Sequence, residues 1–172
     1  KFYDKIMLGK EGREQQLGNM IHTIRNIARA GIPILGYCFM PTGVWRTSRK
    51  AVRGGALATA FDYETARTAE EISSGHSKDL FGLNQRVDLT FAGSIQIERS
   101  YSEEEIWENY CWYIERILPV CEEVGLRLAL HPDDPPVPSL GGAGRVFRNF
   151  ENFRRAMETF DSPMHGLDFC HG

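Results

Sequence analysis

The stretch "GLRLALHPDDPP", residues 125–136, sets an apolar run, Leu126 to Leu130, directly against a histidine, two aspartates and three prolines. An apolar run this short, opened by a glycine and closed by polar and rigid residues, reads as a strand whose end places a side chain at the lip of a site, with a surface turn as the alternative. What precedes it is helical. Ser102 followed by Glu105 forms a capping box, and Ile106, Tyr110, Tyr113, Ile114, Ile117 and Cys121 continue at spacings of three and four to a stop at Gly125. Pro119 has no N–H to offer the carbonyl of Glu115 and is expected to bend this helix.

The same order, helix then apolar strand, occurs on either side. Residues 13–30 carry Leu17, Met20, Ile21, Ile24, Ile27 and Ala28 as a stripe ended by Gly31. "IPILGYCFM", residues 32–40, follows and is expected to be a strand buried on both faces. A third round has a helix near 148–160 and a strand "MHGLDFC", residues 164–170. Three such rounds define an α/β class with a parallel sheet and covering helices. Three units close nothing, so residues 1–172 are expected to be part of one domain, a larger barrel or sheet, with a long loop insertion at about 41–101. Within it, residues 56–101 suit a lid or binding segment, and "FAGSIQIE", residues 91–98, suits a small strand. A doubly wound open sheet stays open as a reading, although no GxGxxG follows any strand. "GGAG", residues 141–144, is the nearest thing to a phosphate cradle, and it follows a proline-rich loop rather than a strand.

Composition narrows the function classes. The chain has 172 residues, 42% hydrophobic and 25% charged, with a formal charge of −3, which fits globular material with one core. Nucleic acid is not an expected partner, because the only basic cluster is Arg46, Arg49, Lys50 and Arg53 in one loop. No apolar run reaches membrane-spanning length, and a cytoplasmic setting is expected. Cys38, Cys111, Cys121 and Cys170 lack CxxC spacing and are read as thiols.

Parallel α/β architectures place their active groups where strands end. Here one strand ends in His131 and another in Cys170. If those strands are neighbours, about 4.8 Å apart, an imidazole and a thiolate can share one metal ion. Such a pair favours a borderline transition metal over magnesium or calcium. Structural roles for both remain open, as a hydrogen-bonded histidine and an inert core thiol. Asp133 and Asp134 suit a turn or a contact behind His131, and Pro132, Pro135, Pro136 and Pro138 stiffen the loop. His22 and His165 read as structural, and His76 lies in a polar loop.

"HPDDPP" at 131–136, "LPVCEEVGLRLAL" at 118–130, "GYCFMP" at 36–41 and "GLDFCHG" at 166–172 together resemble the mannonate dehydratase family. The resemblance runs from "DKIMLG", residues 4–9, to the last residue. It implies a (β/α)8 TIM barrel that removes water from D-mannonate, a small sugar acid, to give 2-keto-3-deoxy-D-gluconate. It also implies a divalent metal, Mn2+ or Fe2+, held by a His, a Cys, a second His and an Asp. The first two correspond to His131 and Cys170; the other two are expected beyond Gly172. Trp45, Arg46 and Thr47 sit where the family has a Trp and an Arg-Thr, which makes Trp45 and Arg46 substrate-binding candidates. Arg145 is a third. A guanidinium matches a carboxylate with two prongs, and a solvated loop arginine is the competing reading for Arg46. Removing a proton beside an ionised carboxylate builds negative charge that a metal and a cation must offset. The general acid and base stay unassigned; His171, next to Cys170, is expected to point to the opposite face. Two other functions remain in view: a metal-dependent sugar isomerase or epimerase of barrel form, and a catalytically incomplete fragment that serves as a packing or binding module. Homo-oligomerisation is left open.

Overall fold

The computed structural model describes residues 3–67 and 97–170. The strand expected at 91–98 lies outside them except for Ile97 and Glu98, as do His76 and His171. In chain order the elements are α1 (Asp4–Met7), α2 (Arg13–Arg29), β1 (Ile34–Tyr37), β2 (Ser48–Ala51), β3 (Leu57–Ala60), α3 (Glu103–Val124), β4 (Arg127–Leu130), β5 (Ser139–Leu140), β6 (Ala143–Gly144), α4 (Phe150–Thr159) and β7 (His165–Leu167).

Helix α3 begins at the capping box. Ser102 Oγ accepts the Glu105 N–H at 3.1 Å, and the Glu105 carboxylate accepts the Ser102 N–H at 2.8 Å, so two otherwise unpaired donors are satisfied. It ends at Gly125, whose φ of 70° reverses the chain; the Leu126 N–H then returns to the Cys121 carbonyl at 3.0 Å. The buried face is the expected stripe with Trp107 and Leu118 added. Pro119 lies inside the helix, which continues past it to Val124.

Strands β1, β4 and β7 form one parallel sheet with β4 in the middle. Leu35 pairs with Leu128, Tyr37 with Leu130, and Leu128 with His165. Leu128 and Leu130 are buried, and they join Leu35, Tyr37 and the apolar faces of α1, α2 and α3 in one core. The other face is not covered by the described residues. Among the described residues the expected burial of this strand is met on the helix side, while Ile34 on the other face is 52% exposed. All the helical stripes turn to one side of the sheet, so only alternate residues of each strand are covered. The strand is also shorter than residues 32–40, because Pro33 precedes it and the chain leaves the ladder after Tyr37.

Two further pairings come from the stretches between these elements. Among its described residues, the stretch expected to be a long insertion, 41–101, contains an antiparallel hairpin, β2 against β3. "GGAG" is a second hairpin. Leu140 pairs with Ala143 across Gly141 and Gly142, whose φ values are 61° and 84°. A two-residue turn with both central residues left-handed suits Gly-Gly, which explains the motif without a phosphate. This hairpin rests on the start of α3: Gly144 N–H donates to the Tyr101 carbonyl at 2.8 Å. A Cβ on Gly144 would sit 2.4 Å from the Glu103 backbone nitrogen. Gly144→Ala is therefore expected to lower stability by about 1–3 kcal/mol through overpacking against backbone that cannot yield, measured as a shift in urea midpoint.

His165, at the start of β7, is buried on the helix side of the sheet. Its Nδ1 lies 3.2 Å from the Phe160 carbonyl, which only accepts, so Nδ1 carries the proton. Nε2 then accepts the Tyr110 hydroxyl at 2.8 Å. The structural reading of this histidine is thus physical: it caps a Tyr110–Tyr37 pair whose hydroxyls are 3.3 Å apart. Burial lowers its pKa below the ordinary value, against the pull of the Phe160 carbonyl. The unfolded chain therefore takes up a proton near pH 6.5 that the folded chain resists. Stability from this group is full above that pH and is lost progressively as pH falls below it toward the lower pKa of the folded chain. Denaturant titrations from pH 8 to 5 should show that decline, and a His165→Gln variant should show a shallower one.

Candidate active site at the strand ends

The carboxyl ends of β1, β4 and β7 lie side by side, and the loops that leave them build the candidate site. His131 follows β4 directly; its backbone N–H donates to the Tyr37 carbonyl at 2.8 Å. The Asp168 N–H donates to the Leu130 carbonyl at 2.9 Å, extending the β4–β7 ladder past its last paired residues. Because Leu128 and Leu130 face the helices, strand alternation sends His131 to the opposite face with Arg127 and Ala129. Asp168, one residue past Leu167, falls in the same row. Its place at the rim was not read from the sequence, because "GLDFC" offers no spacing that separates a rim carboxylate from a strand aspartate.

The condition for a shared His–Cys site, neighbouring strands, is met, since β4 and β7 are paired. Cys170 lies three residues beyond β7 and is exposed; its N–H donates to the Asp168 carbonyl at 2.9 Å. The His131 ring is held by its own loop: Nδ1 lies 2.7 Å from the Pro132 carbonyl. A carbonyl only accepts, so Nδ1 carries a proton, and the neutral ring then presents its lone pair at Nε2, the form in which an imidazole binds a metal. Among the described residues no three His, Cys, Asp or Glu side chains come together as a metal-binding group. Cys111 and Cys121 lie on α3. Burial pushes the Cys111 thiol up to about 11 and the Cys121 thiol up to about 12, which leaves both inert on α3.

The two aspartates of "HPDDPP" do different work, and neither hydrogen-bonds to His131 in the described contacts. Asp133 is 2% exposed. Its N–H donates to the Phe147 carbonyl at 2.7 Å, and its Oδ2 accepts the Phe147 N–H at 3.0 Å. Burial pushes its carboxyl up to about 6, with the Arg145 guanidinium pulling the other way. Asp134 instead turns outward and meets Arg46.

Trp45, Arg46 and Arg145 are brought into one neighbourhood by the loop after β1. Arg46 donates from Nη1 to Asp134 Oδ1 at 2.9 Å and from Nη2 to Asp134 Oδ2, a two-pronged pair. Its Nη1 also donates to the Trp45 carbonyl at 2.8 Å, and its Nε to Thr59 Oγ1 at 3.3 Å, which ties the β2–β3 hairpin to the site. Trp45 Nε1 donates to the Thr42 carbonyl at 3.3 Å. Arg145 is 1% exposed. It donates to the Asp134 carbonyl at 3.2 Å, to Thr42 Oγ1 at 3.3 Å and to the Gly43 carbonyl, and it lies 3.2 Å from the Met40 sulfur. Arg145 thereby fastens the loop after β1 to the loop after β4. Arg145→Met is expected to cost about 2–4 kcal/mol, because the Gly43 and Asp134 carbonyls lose a donor and Asp133 loses its compensating charge. Arg145→Lys should recover little of this, since an ammonium cannot span the same acceptors. Urea midpoints of both variants check the prediction.

The chain is thus a mixed α/β protein with a parallel sheet, and beyond its strand ends lie an imidazole, a thiol and an arginine–carboxylate pair. The sequence pattern of the D-mannonate dehydratase (UxuA) family matches residues 1–172. The chain is 33% identical to a mannonate dehydratase of Thermotoga petrophila, covering 99% of this chain and 49% of that protein. It is 31% identical to mannonate dehydratase 2 of Halalkalibacterium halodurans, again over 99% of this chain and 49% of the relative. Among solved structures it is similar to the crystal structure of mannonate dehydratase from Streptococcus suis serotype 2, with a TM-score of 0.75 and 29% identity over 98% of this chain and 45% of that one. The chain belongs to the D-mannonate dehydratase family. It spans about half the length of the curated relatives it matches.

Proposed function

We propose that the full-length protein is a hydro-lyase that dehydrates D-mannonate to 2-keto-3-deoxy-D-gluconate. In this reading residues 1–172 form part of a (β/α)8 barrel, and the reaction takes place at the carboxyl rim of its strands. The observation that carries the proposal is the family match along all 172 residues. Two features of the rim agree with it. The His131 tautomer leaves Nε2 as a lone-pair donor, and an exposed thiol follows the neighbouring strand. An imidazole and a thiolate suit Mn2+, Fe2+ or a similar borderline ion better than Mg2+ or Ca2+. His131 and Cys170 would hold that divalent ion, which supplies positive charge against the negative charge that develops when a proton leaves the carbon beside an ionised acid.

The remaining roles fall to this chain's side chains. Arg46 offers the sugar acid's carboxylate two parallel N–H groups. Trp45 fixes Arg46 through its carbonyl and borders the same loop. Arg145 keeps the loop after β1 in register with the loop after β4, so that Arg46 and His131 stay at fixed positions. Orienting the acid is the contribution these residues make to the rate. Four cysteines present as thiols agree with a cytoplasmic setting.

Incubating the full-length protein with Mn2+ and D-mannonate should yield a 2-keto acid. Cys170→Ser and His131→Ala should each lower bound metal and turnover together, by at least about 10-fold, since even changes behind a metal's direct ligands reach that size. Absence of turnover with D-mannonate would remove the activity. Variants that keep both metal and turnover would remove the ligand assignment and leave the activity standing.

A further inference from the structure

The pair that Arg46 makes with Asp134 bears on the substrate reading of Arg46, on which this inference rests. Both N–H groups that would grip a ligand's carboxylate are taken by a carboxylate of the chain itself. We propose that Asp134 is a built-in competitor for Arg46, occupying the guanidinium fork until a sugar acid's carboxylate replaces it, and so setting the affinity for substrate and the release of acidic product.

Three features of the pair support exchange. It is accessible: the side chains of Arg46 and Asp134 are 23% and 38% exposed, so an incoming carboxylate can reach the fork and the displaced Asp134 can turn to water. The exchange is chemically even, because one planar carboxylate replaces another on the same two donors. Arg46 also keeps its aim when Asp134 leaves. Its Nη1 contact to the Trp45 carbonyl and its Nε contact to Thr59 do not involve Asp134. The backbone of Asp134 is meanwhile secured by Arg145 at its carbonyl and lies with its N–H 3.2 Å from the Met40 sulfur. The competitor's side chain can therefore move while its anchor does not. The pair stays partly solvated, and a competing carboxylate of the same geometry recovers on the fork what Asp134 gives up.

The test is calorimetric binding of D-mannonate to the full-length protein and to Asp134→Asn, Asp134→Ser, Arg46→Gln and the Arg46→Gln/Asp134→Asn double variant. Removing the competitor is expected to tighten binding by about fivefold, the ratio set by the upper end of an exposed ion pair's strength. The double variant should bind like Arg46→Gln alone, because with the fork gone there is nothing to compete for. In steady-state assays KM should fall in the Asp134 variants without a rise in kcat, whereas a merely structural Asp134 would weaken binding when lost. If Arg46→Gln leaves affinity unchanged, the substrate role of Arg46 fails and the competitor falls with it. If Arg46→Gln weakens binding but both Asp134 variants bind equally or more weakly than the parent, only the competitor is overturned. Loss of folding in both Asp134 variants would overturn it as well, since a partner displaced in every catalytic cycle cannot be what holds the loops.

Discussion

The parallel ladder that seats β4 between β1 and β7 is the constraint on which the rest depends. It hands His131 its backbone partner from β1, the Tyr37 carbonyl, and brings the end of β7 alongside through the Asp168 N–H. Strand alternation then decides which side chains face the core and which face the site. Leu128 and Leu130 are committed to the core by α1, α2 and α3, so His131 has no apolar place to go and is sent to the other face. A slip of one residue in this register would exchange the two sets and bury the imidazole.

Behind the rim, the loops are joined by charged groups that are themselves buried. Arg145 spans from Met40 to Asp134, and Asp133 grips Phe147 from both its N–H and its carboxylate. These contacts are costly to leave half-made, and they tie the loop after β1, the loop after β4 and the approach to α4 into one unit. The outer layer is more open: Arg46 and Asp134 pair half-buried, with side chains 23% and 38% exposed, and in the proposed reading a ligand's carboxylate takes Asp134's place. A rigid inner layer and an exchangeable outer one give a site that holds its shape while its ligand changes.

Much of the scaffold was legible from local pattern. The Ser102–Glu105 box, the stripe from Ile106 to Cys121 and the Gly125 stop delimit α3 because capping and amphipathic spacing act within one helix. The apolar run closed by His131 marks a strand end for the same reason. What was not legible depends on distant partners. Nothing near Arg46 in sequence points to Asp134, 88 residues away, and Arg145 looks like a loop cation until its acceptors at Met40, Thr42 and Gly43 are known. An apolar run reads alike whether one or both of its faces are packed, so which face of β1 meets α2 and α3 follows only from the ladder with β4. His165 was recognisable as structural from its position, but its tautomer follows only from Phe160 and Tyr110.

Whether His131 and Cys170 donate to one cation, as proposed, is read most directly from the absorption spectrum of the full-length protein loaded with Co2+. A thiolate bound to cobalt produces an intense near-ultraviolet charge-transfer band that imidazole and carboxylate ligands do not. That band is expected in the parent protein, with its loss in Cys170→Ser and a changed visible spectrum in His131→Ala. A parent spectrum without the sulfur band, or one that Cys170→Ser leaves intact, would contradict the proposal.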